Sequence, residues 1–212
     1  MLDHLQHVAI EGPIGAGKST LARLLAQRLQ AQVLLERPHD NPFLVRFYAD
    51  PARYAMQTQL FFLFQRIEQY RELAQPGMFT PRTVSDFMFA KDALFAQLTL
   101  SDDEFRLYGQ IHREMAPKAP APDLVIWLQA GPQTLLGRIA RRGLAMEQGI
   151  DAAYLQRLSE AYGAWFERES SVPVLAVDTE RFNPVERPGD VDLLLQRLAA
   201  FKGPREVFDL GA

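Results

Sequence analysis

Eight residues near the start of the chain, Gly12-Pro-Ile-Gly-Ala-Gly-Lys18-Ser19, fit the spacing G-x-x-x-x-G-K-[ST]. Glycines at 12, 15 and 17 let successive backbone N–H groups converge on phosphate oxygens, and a helix starting there adds the positive end of its dipole. In such a loop Lys18 reaches the β- and γ-phosphates of a nucleoside triphosphate and Ser19 holds Mg2+. A tight turn with an ordinary surface lysine is the weaker alternative, because a strand signal precedes the motif and a helix signal follows it.

A phosphate loop names a nucleotide and not a reaction. No Asn-Lys-x-Asp base-reading motif of the Ras type is present, and the fourth predicted strand runs into Gln129-Ala-Gly-Pro132 instead. Arg138, Arg141 and Arg142 lie on one short helical segment, with 138 and 142 one turn apart and so on one face. Arginines beside a γ-phosphate neutralise charge as the phosphoryl group moves, and the glycine-bounded stretch 143–149 makes residues 138–150 a candidate lid.

On the acceptor side, Glu36 ends the second predicted strand, at the sheet edge where open α/β proteins bind ligands. A carboxylate there can take the proton of an attacking alcohol, or simply form a loop salt bridge. Gln59 and Arg66, seven residues apart, share one helical stripe, and a planar heterocycle offers such a pair matching donors and acceptors. Tyr48 and Phe62 offer stacking surfaces. Asp86 follows the third strand and suits a Mg2+ shell, whereas Asp92 either pairs with Arg66 or accepts from a base.

The elements that must position these groups are read from apolar runs and their breaks. Strands are expected at 7–10, 33–35, 83–85, 123–128 and 172–177, and helices at 19–30, after Asn41-Pro42, at 51–74, 87–98, 102–115, 132–142, 151–168 and 190–202. Prolines make 116–122 a loop, and residues 203–212 carry no element signal. Strands alternating with helices imply a three-layer α/β/α domain, residues 1–212, with a five-stranded parallel sheet covered on both faces.

Composition narrows the chemistry further. The 212 residues are 48% hydrophobic and carry a net charge of -3, so a core can form and no global basic field points to nucleic acid. The chain has no cysteine, which excludes disulfides, thiolate catalysis and Cys-ligated metals. His4, His7, His39 and His112 show no i, i+4 pairing of a helical zinc site. The longest apolar runs, 60–64 and 124–128, are far short of the ~20 residues a bilayer requires, and a cytoplasmic protein without membrane contact is expected.

Taken jointly, Gly12 to Thr20, Leu35-Glu36-Arg-Pro-His-Asp-Asn41-Pro-Phe-Leu44, Gln59 with Arg66, and Arg138-x-x-x-Arg142-Gly-x-x-x-Glu147-Gln-Gly resemble the deoxynucleoside kinase family, especially its bacterial deoxyadenosine/deoxyguanosine kinases. The resemblance implies ATP and Mg2+ as donor and cofactor, a purine deoxynucleoside as acceptor, and a homodimer. It implies that Glu36 activates the 5′-hydroxyl, that Tyr48 and Glu147 hold the 3′-hydroxyl, and that Gln59, Arg66 and Asp92 read the base. Asp86 matches the acid of an Asp/Glu-Arg-Ser motif, Arg138 and Arg142 match lid arginines, and the triphosphate contacts run from Gly12, Gly15 and Gly17 through Lys18 and Ser19 to Thr20. Two family cations are replaced, by Phe87 and Leu144. Arg37 or Lys91 is expected to restore the first and Arg141 the second. The competing readings are a nucleoside monophosphate kinase and a P-loop switch that binds ATP without an acceptor.

Overall fold

The computed structural model describes residues 2, 4–73, 82–115, 121–168 and 171–211. Its strands are β1 (His7–Glu11), β2 (Gln32–Leu34), β3 (Thr83–Ser85), β4 (Leu124–Gln129), β5 (Val174–Asp178) and β6 (Arg205–Phe208). The helices are α1 (Lys18–Leu29), α2 (Leu44–Ala49), α3 (Pro51–Leu73), α4 (Lys91–Thr99), α5 (Asp102–Met115), α6 (Pro132–Arg142), α7 (Ala152–Arg168) and α8 (Gly189–Ala200). All strand pairs are parallel, in the order β2-β3-β1-β4-β5-β6. The chain runs outward from β1 to one side and then returns to build the other, so the switch point falls at the end of β1, where the phosphate loop begins.

Side chains on the inner strands alternate between two apolar layers, as period-two geometry requires. Val8, Ile10, Ile126 and Leu175 pack with Leu21 and Leu25 of α1 and Leu194 and Leu198 of α8. Ala9, Val125 and Val174 face the other way, against Leu158, Tyr162 and Phe166 of α7. Burial on both faces explains why β1 and β4 read as continuous apolar runs.

The sheet has six strands where the sequence predicts five. The sixth, β6, lies in the 203–212 tail and alternates exposed with half-buried residues. A four-residue edge strand with one covered face leaves no apolar run to detect. Helix α4 begins at Lys91 rather than Phe87. The intervening backbone is claimed from outside: Met88 N–H donates to Glu11 Oε1 at 2.7 Å and Phe89 N–H to the Tyr70 hydroxyl at 3.2 Å. Asn41 is not the N-cap of α2: the helix starts at Leu44 with Phe43 at its N-cap and no side-chain cap, and Asn41 Oδ1 accepts from Phe43 N–H at 3.0 Å in the preceding turn. Ser101 and Glu104 form the capping box of α5. Of the proline-rich loop, 116–120 lie outside the described residues.

Buried His7 shows how tightly β1 is tied to β3. Ser85 Oγ spends its one proton on the Phe87 carbonyl at 2.8 Å, so His7 Nε2, 2.9 Å from that oxygen, must be the donor. The Nδ1 atom is buried without a partner, and burial lowers the ring to about 4 despite the nearby Asp123 carboxylate. Protonation would place an N–H where no acceptor exists. The unfolded chain, with its histidine near 6.5, therefore binds the extra proton first, and the contribution of neutral His7 is complete above pH 6.5 and lost as pH falls toward 4. Urea titrations should show a loss of up to about 3 kcal/mol over that interval from this group. His7→Gln should flatten that interval; an unchanged slope would refute the assignment.

Candidate active site

The phosphate loop is built from conformations that only glycine adopts without strain. Gly12 has φ +144°, and a Cβ there would lie 2.4 Å from the Leu128 carbonyl oxygen of β4. Gly15 has φ +87° and presses on the Leu135 carbonyl of α6. Gly17, at φ +99°, precedes α1 without a side-chain cap, which leaves the first-turn N–H groups to an anion. Lys18 Nζ bridges the Gly12 and Pro13 carbonyls at 2.8 and 3.1 Å. Burial, reinforced by the neighbouring Lys91 ammonium, lowers Lys18 to about 8 against the opposing pull of Glu11, Glu36 and Asp86. A bound polyphosphate would reverse that pressure by adding negative charge.

Beside the loop opens a cavity of about 410 Å³ whose wall includes Lys18, Ser19, Glu36, Gln59, Arg66 and Lys91. Glu36 follows β2, and its main chain is fixed from two elements. Its N–H donates to Asp86 Oδ1 at 2.7 Å, while Gln69 and Gln65 of α3 donate to the flanking Leu35 and Arg37 carbonyls at 2.9 and 3.2 Å. Helix α3 thus buries a polar stripe, Thr58, Gln59, Gln65, Arg66 and Gln69, beside its apolar core residues Leu63, Ile67 and Tyr70, while Phe64 is exposed. The Glu36 carboxylate pairs with Arg66 and with Lys91, whose Nζ lies 3.2 Å from Oε2. Burial alone would raise this acid, yet Lys91, Arg66 and Lys18 outweigh it and hold the carboxyl down to about 2. Glu36 is therefore an ionised acceptor facing the phosphate loop.

Arg66 spans two acids, touching Asp92 on its far side, and its guanidinium lies over the rings of Phe62 and Phe87 at 5.2 and 6.0 Å. Asp92 is fully buried and does not reach the cavity wall, so it supports Arg66 from behind. Gln59 is on the wall, with Nε2 donating to Thr99 Oγ1 at 3.1 Å. Tyr48 and Glu147 meet at the opposite end. Burial, with Glu147 and Glu36 nearby, raises the Tyr48 hydroxyl, which stays a donor. Glu147 accepts two hydrogen bonds from Arg142, at 2.6 and 3.0 Å.

Ser19 Oγ donates to Asp86 Oδ2, so the two expected Mg2+ ligands are adjacent beside the phosphate loop. Two oxygens fit a cation that completes its shell with water and phosphate oxygens. Among the described residues no group of three or more His, Asp or Glu side chains gathers to hold an ion unaided.

The remaining arginines divide. Arg37 is exposed, lies 3.5 Å from Asp40 and does not line the cavity. Arg138 and Arg141 line a second cavity, of about 360 Å³, that shares Gly15, Gly17, Thr20 and Arg142 with the first. Arg138 donates to Thr179 Oγ1 and O at 2.9 and 2.5 Å, and Arg141 lies 3.7 Å from Glu186 and does not line the first cavity, where Leu144 stands. The other wall of the second cavity, 182–186, carries no sequence motif. Glu11 also lies outside the motifs. This buried acid accepts from Met88 N–H, the Tyr162 hydroxyl and Gly12 N–H at 2.7, 2.8 and 3.3 Å, and so ties the phosphate loop to the turn that carries Lys91. A lone charge inside an otherwise apolar strand was the available signal.

Comparison with known proteins bears on the family and the fold. A family model described as deoxynucleoside kinase matches residues 8–199. A deoxyguanosine kinase of Bacillus subtilis (strain 168) is 33% identical over 198 residues, 91% of this chain and 94% of that protein. A deoxyadenosine kinase of Lactobacillus acidophilus is 30% identical over 193 residues, 84% of this chain and 88% of its own. The solved structure of deoxyadenosine kinase from M. mycoides with bound dATP superposes with a TM-score of 0.79 at 22% identity, covering 92% of this chain and 99% of that one, a likeness of fold.

The glycine geometry separates two alanine substitutions. Gly12→Ala places a methyl against the Leu128 carbonyl and should abolish ATP binding and lower Tm by several degrees. Gly137→Ala, mid-α6 with nothing within 4 Å, should raise stability by up to about 1 kcal/mol and leave ATP binding intact. Calorimetry and nucleotide titration check both, and equal behaviour of the two variants would contradict the loop geometry.

Proposed function

The chain belongs to the deoxynucleoside kinase family, and from that premise we propose that it uses ATP with Mg2+ to phosphorylate the 5′-hydroxyl of a purine deoxynucleoside, deoxyadenosine or deoxyguanosine. The observation that carries this reading is an ionised Glu36 held in the same cavity as Lys18 of the phosphate loop. In the reaction a bond forms between the 5′-oxygen and the γ-phosphorus as the bond from that phosphorus to the β–γ bridging oxygen breaks. The hydroxyl proton passes to the Glu36 carboxylate, and the electron pair of the broken bond leaves with ADP. Transfer of this kind depends on alignment and charge neutralisation more than on covalent catalysis.

The remaining roles are proposed from the family resemblance. Gln59 and Arg66 meet the base, with Asp92 holding Arg66; Tyr48 and Glu147 meet the 3′-hydroxyl. Gly12, Gly15, Gly17, Lys18, Ser19 and Thr20 cradle the phosphates, with Arg142 at the lid, and Ser19 and Asp86 hold Mg2+. Arg138 borders the second cavity, which we assign to the donor base. The names of the Bacillus and Lactobacillus relatives support a purine acceptor. A cytoplasmic homodimer suits the resemblance; among the described residues no helix is long and apolar enough to cross a membrane, and Phe64 and Leu107 stand exposed on α3 and α5.

A monophosphate acceptor is the weaker reading, because two arginines of the cavity wall are committed to acids, Arg66 to Glu36 and Asp92 and Arg142 to Glu147. A switch without an acceptor would leave the buried stripe of Gln59 and Arg66 without a ligand.

Steady-state assays of deoxyadenosine, deoxyguanosine, deoxycytidine and thymidine with Mg-ATP test the proposal. The purines should be preferred, and Glu36→Gln should lower kcat by at least ~100-fold with ATP binding retained. A folded, ATP-binding wild type that turns over none of the four nucleosides would sink the reading.

A further inference from the structure

Lys91 is the buried cation that the roles above leave unassigned. It opens α4 at 5% exposure and lines the cavity, with Nζ 5.5 Å from the centroid of the Phe95 ring. Among the described residues Glu36 is its one hydrogen-bond partner, which uses one of three N–H donors. Lys91 shares the cavity wall with Glu36 and Lys18, near enough to Lys18 for its charge to lower that lysine's pKa. Arg66 is shared between Glu36 and Asp92, so Lys91 completes the charge balance of Glu36 and is the cation left without a counter-ion when Glu36 takes up a proton.

We propose that Lys91 is a catalytic residue whose ammonium leaves Glu36 for the transferred phosphoryl group and then holds the 5′-phosphate of the product. The inference rests on the kinase reading. When the 5′-hydroxyl proton moves to Glu36, that carboxylate loses its charge and Lys91 loses its counter-ion. In the same step the phosphoryl group, with its negative oxygens, becomes bonded to the 5′-oxygen beside it. The ammonium stays protonated throughout and exchanges one anion for another, so its attraction grows as transfer proceeds, which is the condition for lowering the barrier. Phe87, which is fully buried against Leu34 and Tyr70, supplies no charge here, and Arg37 lies outside the cavity.

The absence of cysteine makes a clean test possible, because Lys91→Cys introduces the chain's sole thiol. Alkylation with 2-bromoethylamine then rebuilds a lysine-length side chain ending in an ammonium. Lys91→Cys should lose kcat by ~100-fold or more, keep the deoxynucleoside KM within threefold, and bind the deoxynucleoside monophosphate product at least tenfold more weakly. Aminoethylation should restore both losses to within about tenfold, and Lys91→Arg should do so without alkylation. If Lys91→Cys fails to fold, Lys91→Met, which keeps the stem, carries the same comparison. Full kcat in a folded uncharged variant, or a loss of kcat with product affinity unchanged and no rescue by the ammonium, overturns the proposal while wild-type turnover leaves the kinase reading standing. A wild type without nucleoside turnover overturns both.

Discussion

A carboxylate that must stay ionised while half-buried in a cavity wall is the constraint around which this protein is arranged. Without partners, Glu36 would be pushed toward its protonated form, since desolvation penalises the charge. Three cations from three separate elements prevent that: Lys18 at the start of α1, Arg66 in the middle of α3 and Lys91 at the start of α4. Their convergence explains why α3 carries its polar residues inward, and why Asp92 is buried behind Arg66 where a hydrophobic residue would leave the guanidinium half-compensated.

The same acid network sets the spacing between donor and acceptor. Asp86 contacts both Ser19 and the Glu36 backbone, and Glu11 contacts both the phosphate loop and the turn leading into α4. Neither acid needs to meet an acceptor substrate to matter, because each fixes one half of the site relative to the other. The parallel sheet makes this possible: β1 and β3 are hydrogen-bonded neighbours, so loops leaving their ends start within one strand spacing of each other. A glycine at 12 then lets the phosphate loop pass against the end of β4, where a side chain would collide with the Leu128 carbonyl.

Lid and donor side follow from α6. Arg138 and Arg142 lie one turn apart, yet the first is tied to Thr179 at the end of β5 and the second to Glu147 beyond the helix. One helix face thus borders both cavities, and the glycine at 143, with φ +68°, turns the chain back so that Glu147 can face Tyr48 across the acceptor end. Arg142, shared by both cavities, is placed to respond to occupancy of either.

The sequence by itself determined the parts whose chemistry is local. The phosphate loop, the both-face burial of β1 and β4, the capping box of α5 and the acids at the ends of β2 and β3 are legible because each depends on residues within a few positions of one another. The same locality hides β6, a short edge strand whose only justification is a partner strand already in place. Tertiary structure alone decided which charges meet. Lys91 rather than Arg37 reaches Glu36, because the backbone of 87–90 is drawn into bonds with Glu11 and Tyr70 and delays α4 until Lys91 faces the cavity. Arg141 turns to the second cavity, and Asp92 stands behind Arg66 rather than at the wall. Distances between charges on different elements are set by how those elements pack, and a linear spacing does not encode them.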